Sequence, residues 1–553
     1  TEGHHGSFRL GLTSGAFNID GPIGRKTTYS VALRRSWFDV LTVPIMALAN
    51  TNNSSENIRF NYSFMDLNAK VTHRFSNSTT AFASVYFGDD LLKTGSSAKG
   101  KLESGWYDDK YDYHWGNLVA SLGLNRRFNS GLTAEFAAAY TRYFSVMKFD
   151  GVSEETTSDG YINTRNRTWT RNNIHDWIFR ADFDWMANDA NHVRFGASYI
   201  RHSFLPACTD RNYEFGDNKM VIRDSTWAYP ANEANLYIED DWVVNDKLRM
   251  NAGLHLSLFN IDRKTYFGYG PRISLSYRPD QNWAVKAAYA RTTQYVHQLS
   301  QTYLSLPCDQ WVPITGRFKP QTADKISLGA YWQSDSKVYE ASVEGYYKVM
   351  RNLVDYRDEF YLQPPTEMWD GQLCSGSGTA KGVDFKFAKL LGPVTGHISY
   401  SLAWADRKFA DKNDGRPFPA RFDHRHTIHI LLNWNINSKV SLNAAWTGHS
   451  GNRFTFLPQV WQAPDFDGGY YEKYAPLKTG VNNYQLPFYH RLDLSCTVRN
   501  RRGYWNFGLY NAYCNLNTVA IRLTRRNDFT YQPIFQKVRL LPIIPSVSYT
   551  WQF

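Results

Sequence analysis

The chain has 553 residues, 16% of them aromatic (36 Tyr, 34 Phe and 18 Trp), and 62 Lys and Arg against 51 Asp and Glu give a formal charge of +11. Mean hydropathy is −0.50, and no run approaches the 18 or more apolar residues of a transmembrane helix. The positive charge is spread without a dense basic run, which argues against nucleic acid as a partner.

The chain opens directly on strand-like sequence with no signal peptide, and so reads as a mature protein or a fragment of one. Residues 6–22 read as two short strands joined by a tight turn near Ser14 and Gly15. Arg34 and Arg35 follow on opposite parities, so one of them points inward, where a carboxylate such as Glu239 or Asp241 would satisfy it. Leu236, Ile238 and Trp242 alternate with Tyr237, Glu239 and Asp241. Trp283, Val285, Ala287 and Tyr289 share one parity, with Lys286 on the other. Tyr339, Ala341, Val343, Tyr347 and Val349 oppose Glu340, Ser342, Glu344 and Lys348. Trp505, Phe507 and Leu509 oppose Asn506 and Tyr510, and at the C-terminus Val547, Tyr549, Trp551 and Phe553 oppose Ser546, Ser548, Thr550 and Gln552.

Strands with period 2, one face apolar and aromatic and the other polar, are the wall pattern of a transmembrane antiparallel β-barrel. Short turns are expected near 24–26, 76–78, 129–131, 188–190, 245–246, 279–281, 334–336, 391–393, 437–438 and 501–502. Long loops are expected near 38–57, 92–112, 149–174, 205–225, 296–319, 353–378, 409–420, 451–483 and 517–540. With the short turns and both termini periplasmic and the long loops extracellular, counting back from Phe553 closes only at 22 strands, roughly 25 residues per strand with its connection. No linker or low-complexity tract divides the chain, so residues 1–553 read as one barrel domain in a bacterial outer membrane.

Five cysteines cannot all pair. Cys208, Cys308 and Cys374 fall in polar connections and Cys496 and Cys514 in predicted strands; either Cys308 and Cys374 form one loop disulfide or the thiols are free. His424 and His426, on one face of a strand and about 7 Å apart, are too distant to hold one zinc without other ligands. With Asp423 and His429 they read as a polar strand mouth bonded to its neighbours. Asp465-Phe466-Asp467-Gly468-Gly469 lacks the distal acidic ligand of a calcium loop and reads as a glycine-supported turn. No catalytic constellation, phosphate loop, metal site or cofactor site is expected. The candidates for ligand contact are loop aromatics: Trp227, Tyr229, Trp311, Trp369, Trp461, Tyr470, Tyr471 and Tyr474. They either stack against a sugar or heterocycle or pack within the loops and the aromatic girdle.

Several phrases carry a resemblance. Gly21-Pro22-Ile23 precedes Ala32-Leu33-Arg34-Arg35-Ser36-Trp37-Phe38-Asp39; then come Ala234-Asn235-Leu236-Tyr237-Ile238-Glu239-Asp240-Asp241-Trp242 and Gly270-Pro271-Arg272-Ile273-Ser274. Phe422-Asp423-His424-Arg425-His426, Thr447-Gly448-His449-Ser450-Gly451-Asn452 and Tyr510-Asn511-Ala512-Tyr513 complete the set. In order and spacing the chain resembles the barrel of TonB-dependent receptors, particularly the branch common in Bacteroidetes, although it reads Cys514-Asn515-Leu516 where members often have Asn-Pro. The resemblance implies active import of a scarce nutrient (iron chelate, cobalamin, oligosaccharide or peptide), driven by an inner-membrane TonB complex pulling on an N-terminal plug. It also implies that Arg34, Glu239 and Asp241 are lumen charges facing that plug. Neither plug nor TonB-binding segment is seen before Thr1, so the plug is expected to be disordered, removed or missing. The other expected partners are outer-membrane lipid, including lipopolysaccharide, and a surface lipoprotein or other outer-membrane subunits. The alternative is a barrel that serves as a structural subunit of a larger outer-membrane complex.

Overall fold

The computed structural model describes residues 3–52, 56–98, 106–157, 160–223, 228–299, 309–357, 369–456, 459–463, 473–477, 480–525, 533–539 and 541–553. Twenty-four strands share one antiparallel sheet; two of them, Asn218–Ile222 and Phe418–Pro419, are short extensions outside the wall, which leaves the expected 22. In chain order these are β1 (His5–Gly11), β2 (Ser14–Ile23), β3 (Thr27–Ser36), β4 (Glu56–Ser76), β5 (Thr79–Ala98), β6 (Trp106–Arg127) and β7 (Leu132–Thr157). They continue with β8 (Gly160–Met186), β9 (Asn191–Phe215), β10 (Tyr229–Val243), β11 (Leu248–Ile261), β12 (Lys264–Tyr277), β13 (Trp283–Gln294), β14 (Gln321–Gln333) and β15 (Tyr339–Tyr356). The last are β16 (Leu373–Lys389), β17 (Val394–Phe409), β18 (His426–Asn435), β19 (Val440–His449), β20 (Tyr489–Asn500), β21 (Gly503–Tyr510) and β22 (Ile544–Gln552).

Each strand pairs with its sequence neighbours, and β22 pairs with β1 from Ser7↔Gln552 to Gly11↔Ser548, which closes the sheet. Closure is completed beyond the last strand: Gly6 N–H donates to Phe553 O at 2.9 Å and Phe553 N–H to Gly6 O at 3.0 Å. The Phe553 ring lies over Gly6, where a Cβ would sit 2.5 Å from its tip, so a larger residue here would push the ring aside.

The alternation read from the sequence sets inside and outside. On β10, Leu236 and Ile238 are 58% and 54% exposed on the outer face, while Tyr237 and Glu239 point inward. Phe8 and Leu10 pair with Trp551 and Tyr549, which neighbour Trp505, so the seam carries a continuous apolar, aromatic band on its outside. In lipid every backbone group must find its partner within the sheet, and a closed barrel leaves no edge.

The expected short turns are all present, and five use one device. Asn129, Asn188, Asn245, Asp280 and Asn437 each accept, through Oδ1, the N–H groups two and three residues on, at 2.8–2.9 Å. The side chain thus mimics a turn of backbone and ends the strand within a few residues.

The other end departs from the sequence reading. The first turn lies at Leu12 and Thr13, with Ser14 and Gly15 already in β2. The expected loops 92–112 and 149–174 are largely strand, for β5 and β6 pair as far as Ser97↔Asp108 and β7 and β8 as far as Thr157↔Gly160. Beyond the membrane both faces of a hairpin are wet, so it needs no apolar alternation and looks like a polar loop. Residues Phe38–Asn52, expected as loop, form a helix, α1. Arg35 pairs with Asp39 in its first turn at 2.7 Å, and the Asn50 amide bridges the N–H and C=O of Ile58. Cys514, expected in a strand, lies exposed in a turn after β21 with φ 55°.

The wall assignment makes a direct prediction. Leu122, 64% exposed on the lipid face of β6, changed to Arg should destabilise the barrel by about 2–4 kcal/mol, as expected for a cation near the bilayer midplane. The adjacent lumen-facing Ser121→Arg should cost far less. Urea unfolding in lipid vesicles checks both; equal costs would refute the inside–outside assignment.

Candidate functional site

The wall is tall on one side and low on the other: β7 and β8 run 26 and 27 residues, whereas β18 and β19 have 10 each. Connections of the long-hairpin end fold into the mouth this leaves. The segment after β13 turns inward as a small hairpin, Val296–Leu299 paired with Gln310–Pro313. Tyr295 and Ile314, at its base, are buried against Phe204, Ala231, Phe259 and Ile261 on the inner faces of β9, β10 and β11. The Tyr295 ring stacks on Phe259 at 4.7 Å and its hydroxyl meets Ser257 Oγ at 2.6 Å. Polar ties reinforce the insertion: Lys264 Nζ donates to Gly316 O at 2.6 Å, Tyr266 OH to Thr315 O at 3.0 Å and Asn172 Nδ2 to Trp311 O at 3.3 Å.

A second apolar cluster sits beside it. Leu299 and Val312 of the hairpin pack with Tyr356 and Leu373, flanked by Phe318, Val354 and Trp369. Asp370 is buried and accepts the Thr315 hydroxyl at 3.1 Å, with Arg317 Nε at 3.6 Å. Trp369 meets Tyr229 edge-on with ring centroids 6.0 Å apart. Three of the sequence candidates, Tyr229, Trp311 and Trp369, therefore gather on one inward-folded assembly, each half-buried. Trp461 and Tyr474 lie on the paired segments Gln459–Ala463 and Lys473–Leu477, but their side chains, like all of Trp227, Tyr470, Tyr471 and Cys308, lie outside the described residues.

His297, in the inserted hairpin, is a residue the sequence reading did not single out. It is 5% exposed, and burial pushes its pKa down to about 4 against a weaker opposing hydrogen bond with Gln321. Only the tertiary fold creates this burial.

At the low side of the wall the family-like phrases interlock. Asp423, 2% exposed, accepts Ala405 N–H at 3.0 Å and faces Arg425 at 3.2 Å and Arg453 at 3.6 Å. His424 bonds Asn452 and stacks on His449 at 4.1 Å, and His449 stacks on Tyr489 at 4.6 Å. His426 instead bonds Tyr400 at 2.9 Å, and His429 bonds Thr447 at 3.2 Å. His424 and His426 thus do not share a strand face: β18 begins only at His426. Each histidine meets a neighbouring strand, and among the described residues no group of His, Cys, Asp and Glu could hold a metal ion. On β20, Arg491 reaches Asp493 at 2.8 Å and the Tyr510 hydroxyl at 2.7 Å, while Asn511 N–H donates to Asp493.

Two of the three expected lumen charges, Arg34 and Glu239, pair with residues on adjacent strands. Arg34 pairs with Asp66 rather than with Glu239 or Asp241, and Glu239 pairs with Arg194 at 2.7 Å. Towards the short-turn end, Arg180 bridges Glu135 at 2.7 Å and Asp182 at 2.5 Å, and Tyr237 OH donates to Asp182 at 2.6 Å. The signal for this ladder was the inward parity of Arg180, Asp182 and Asp184.

A pH dependence follows for the inserted hairpin. Because the folded protein holds His297 neutral well below the ordinary His value of 6.5, that contribution is complete above pH 6.5 and is lost as pH falls towards 4. The loss is on the order of 3 kcal/mol. After allowing for the slower intrinsic exchange of amides at low pH, protection factors at residues 295–299 and 310–314 should fall on acidification in the wild type and much less in His297→Phe; identical acid responses would count against the assignment.

Residues 28–517 match the family described as TonB dependent receptor-like, beta-barrel. No curated protein matches by sequence. Among solved structures the chain is similar to FpvA of P. aeruginosa bound to pyoverdine–iron, with TM-score 0.66 and 10% identity, over 100% of this chain and 71% of that one. It is also similar to the ferric-catecholate import receptor Fiu from E. coli K12 (TM-score 0.62, 12% identity, 100% and 82% covered). The FrpB iron transporter from Neisseria meningitidis matches at TM-score 0.62 and 10% identity, with 100% and 81% covered. At these identities the likeness is one of fold.

Proposed function

Because the chain belongs to the TonB-dependent receptor β-barrel family, we propose that it is the wall and mouth of an outer-membrane importer for a scarce nutrient, with an iron chelate as the first choice. The observation that carries this reading is a closed 22-stranded barrel, a width at which outer-membrane barrels are plugged transporters, with aromatic loops folded into one mouth. The structural neighbours, an iron-bound pyoverdine complex, a ferric-catecholate receptor and an iron transporter, support the ligand class; cobalamin, oligosaccharide or peptide are the other cargoes of this size.

In this reading the long hairpins face outward and both termini face the periplasm. Ligand is held among Tyr229, Trp311 and Trp369, together with Trp227, Trp461, Tyr470, Tyr471 and Tyr474 on the neighbouring loops. A flat chelate offers faces on which such rings stack. The charged inner wall, including Arg34, Glu239 and Asp241, offers polar contacts to a plug domain outside these residues, and TonB acts through that plug. The phrases at Phe422–His426 and Tyr510–Tyr513 support placing it in the branch common in Bacteroidetes. Lipopolysaccharide surrounds the outer rim, and a surface lipoprotein is a further partner of the outward loops.

Uptake of radiolabelled iron supplied as hydroxamate, catecholate or mixed chelates tests this directly. Deleting the protein should abolish uptake of one class to the level of a strain lacking TonB, and Tyr229→Ala with Trp369→Ala should lower uptake about tenfold or more, as loss of two stacking residues implies. Unchanged uptake of every class in the deletion strain would sink the iron reading. The orientation has its own check: an epitope inserted after Asp414, 85% exposed in the connection before β18, should be detected on intact cells. Detection only after the outer membrane is opened would reverse the assignment.

A further inference from the structure

The outer wall of β4–β12 is not evenly studded. Two grooves of about 720 and 1010 Å³ cross its lipid face and meet at Leu122, Ala138 and Phe179. The first runs from Val71 and Val85 past Ala120 and ends against Tyr140 and Trp177. The second runs between Phe136, Ala181, Ala197 and Leu236, with Tyr199 at its upper margin. The linings are almost wholly apolar, as an acyl chain requires.

Cations stand where both grooves reach the long-hairpin end. Tyr140 pairs with Trp177 across β7 and β8, their rings 5.0 Å apart, and one step further along the same face Arg142 pairs with His175. His175 Nδ1 is 2.8 Å from the Tyr140 hydroxyl. On β9, Arg201 lies opposite Trp177, and Arg201 and the Tyr199 hydroxyl converge on Asn232 Oδ1 at 2.8 and 2.7 Å. Higher on this face three arginines are neutralised, Arg165 by Asp150 at 2.9 Å, Arg171 by Asp210 at 3.0 Å and Arg59 by Asp108, and Lys148 lies over the Trp169 ring at 5.2 Å. Among the described residues, Arg142 and Arg201 have no carboxylate partner; Arg142 lies over the Phe144 ring at 5.4 Å.

We propose that this sector of the wall binds one molecule of lipopolysaccharide, its acyl chains in the two grooves and its phosphates on Arg142 and Arg201. Guanidinium groups grip phosphate through paired N–H donors. Tyrosine and tryptophan mark the level at which chains give way to headgroups. Two grooves converging below two separated cations suit a headgroup that carries several chains and more than one phosphate. The site rests on the reading that the long hairpins face outward, which places these arginines in the outer leaflet.

Native mass spectrometry of the intact protein, extracted from its own outer membrane in mild detergent, tests it. The wild type should retain lipopolysaccharide; Arg142→Glu with Arg201→Glu should lose it at least tenfold, as should Ala138→Phe, which fills the junction of the grooves. Arg171→Ala should retain it, and heat-modifiable gel migration should show all variants folded. Equal retention in the double variant, glycerophospholipid alone on the wild type, or a protein in place of lipid would each overturn the proposal. An exposed tag at Asp414 with unchanged lipid in the variants overturns the lipid site alone, whereas a hidden tag overturns the orientation beneath it.

Discussion

The structure depends on one constraint: in hydrocarbon a backbone N–H or C=O has nowhere to turn but to another strand. A single open edge would leave a row of such groups unpaired, so the sheet must close, and it does so between β22 and β1. The reciprocal bonds between Gly6 and Phe553 carry the closure to the last residue. Glycine opposite lets the Phe553 ring lie over the seam, where a Cβ would displace it. Once the cylinder is closed, every strand has a wet side and a lipid side, and the period-2 pattern is its necessary consequence.

The mouth arises where that constraint lapses. Above the membrane the strands lengthen unevenly, and the polar hairpins no longer need lipid-facing residues. The low side leaves a wide mouth, which the hairpin after β13 and the Trp369–Gln372 turn fill by bringing their own apolar residues. The mouth is therefore a small protein core held inside a membrane cylinder. That arrangement gives the inserted aromatics a firm footing, whereas a loop standing in water would have none.

The chain also divides its charges by depth and by face. Inside, cations and carboxylates pair with adjacent strands, as in Arg34 with Asp66 and Arg194 with Glu239. Outside, Arg59, Arg165 and Arg171 pair with carboxylates, whereas Arg142 and Arg201, just above the aromatic belt, have none among the described residues. An unpaired arginine beside hydrocarbon is unfavourable unless the membrane itself supplies the anion, which is why this exception bears on a lipid partner.

The strand count, the closing seam, the short turns and the inside–outside assignment were legible in the sequence. Alternation such as Leu236, Ile238 and Trp242 against Tyr237, Glu239 and Asp241 is a local property, and Asn or Asp at five turns acts within three residues. Ion-pair partners were not legible: Arg34 takes Asp66, a residue brought opposite by register between β3 and β4. Nor was α1, whose Phe38–Asn52 segment has Pro44 within it, or the burial of His297. The eight loop aromatics looked alike in sequence, and only the folding of separate connections into one mouth drew Tyr229, Trp311 and Trp369 together. The sequence by itself determined that this is a 22-stranded membrane barrel, because the bilayer imposes its demand on every second residue. The tertiary structure decided the form of the mouth and outer wall, because those surfaces are assembled from residues far apart in the chain.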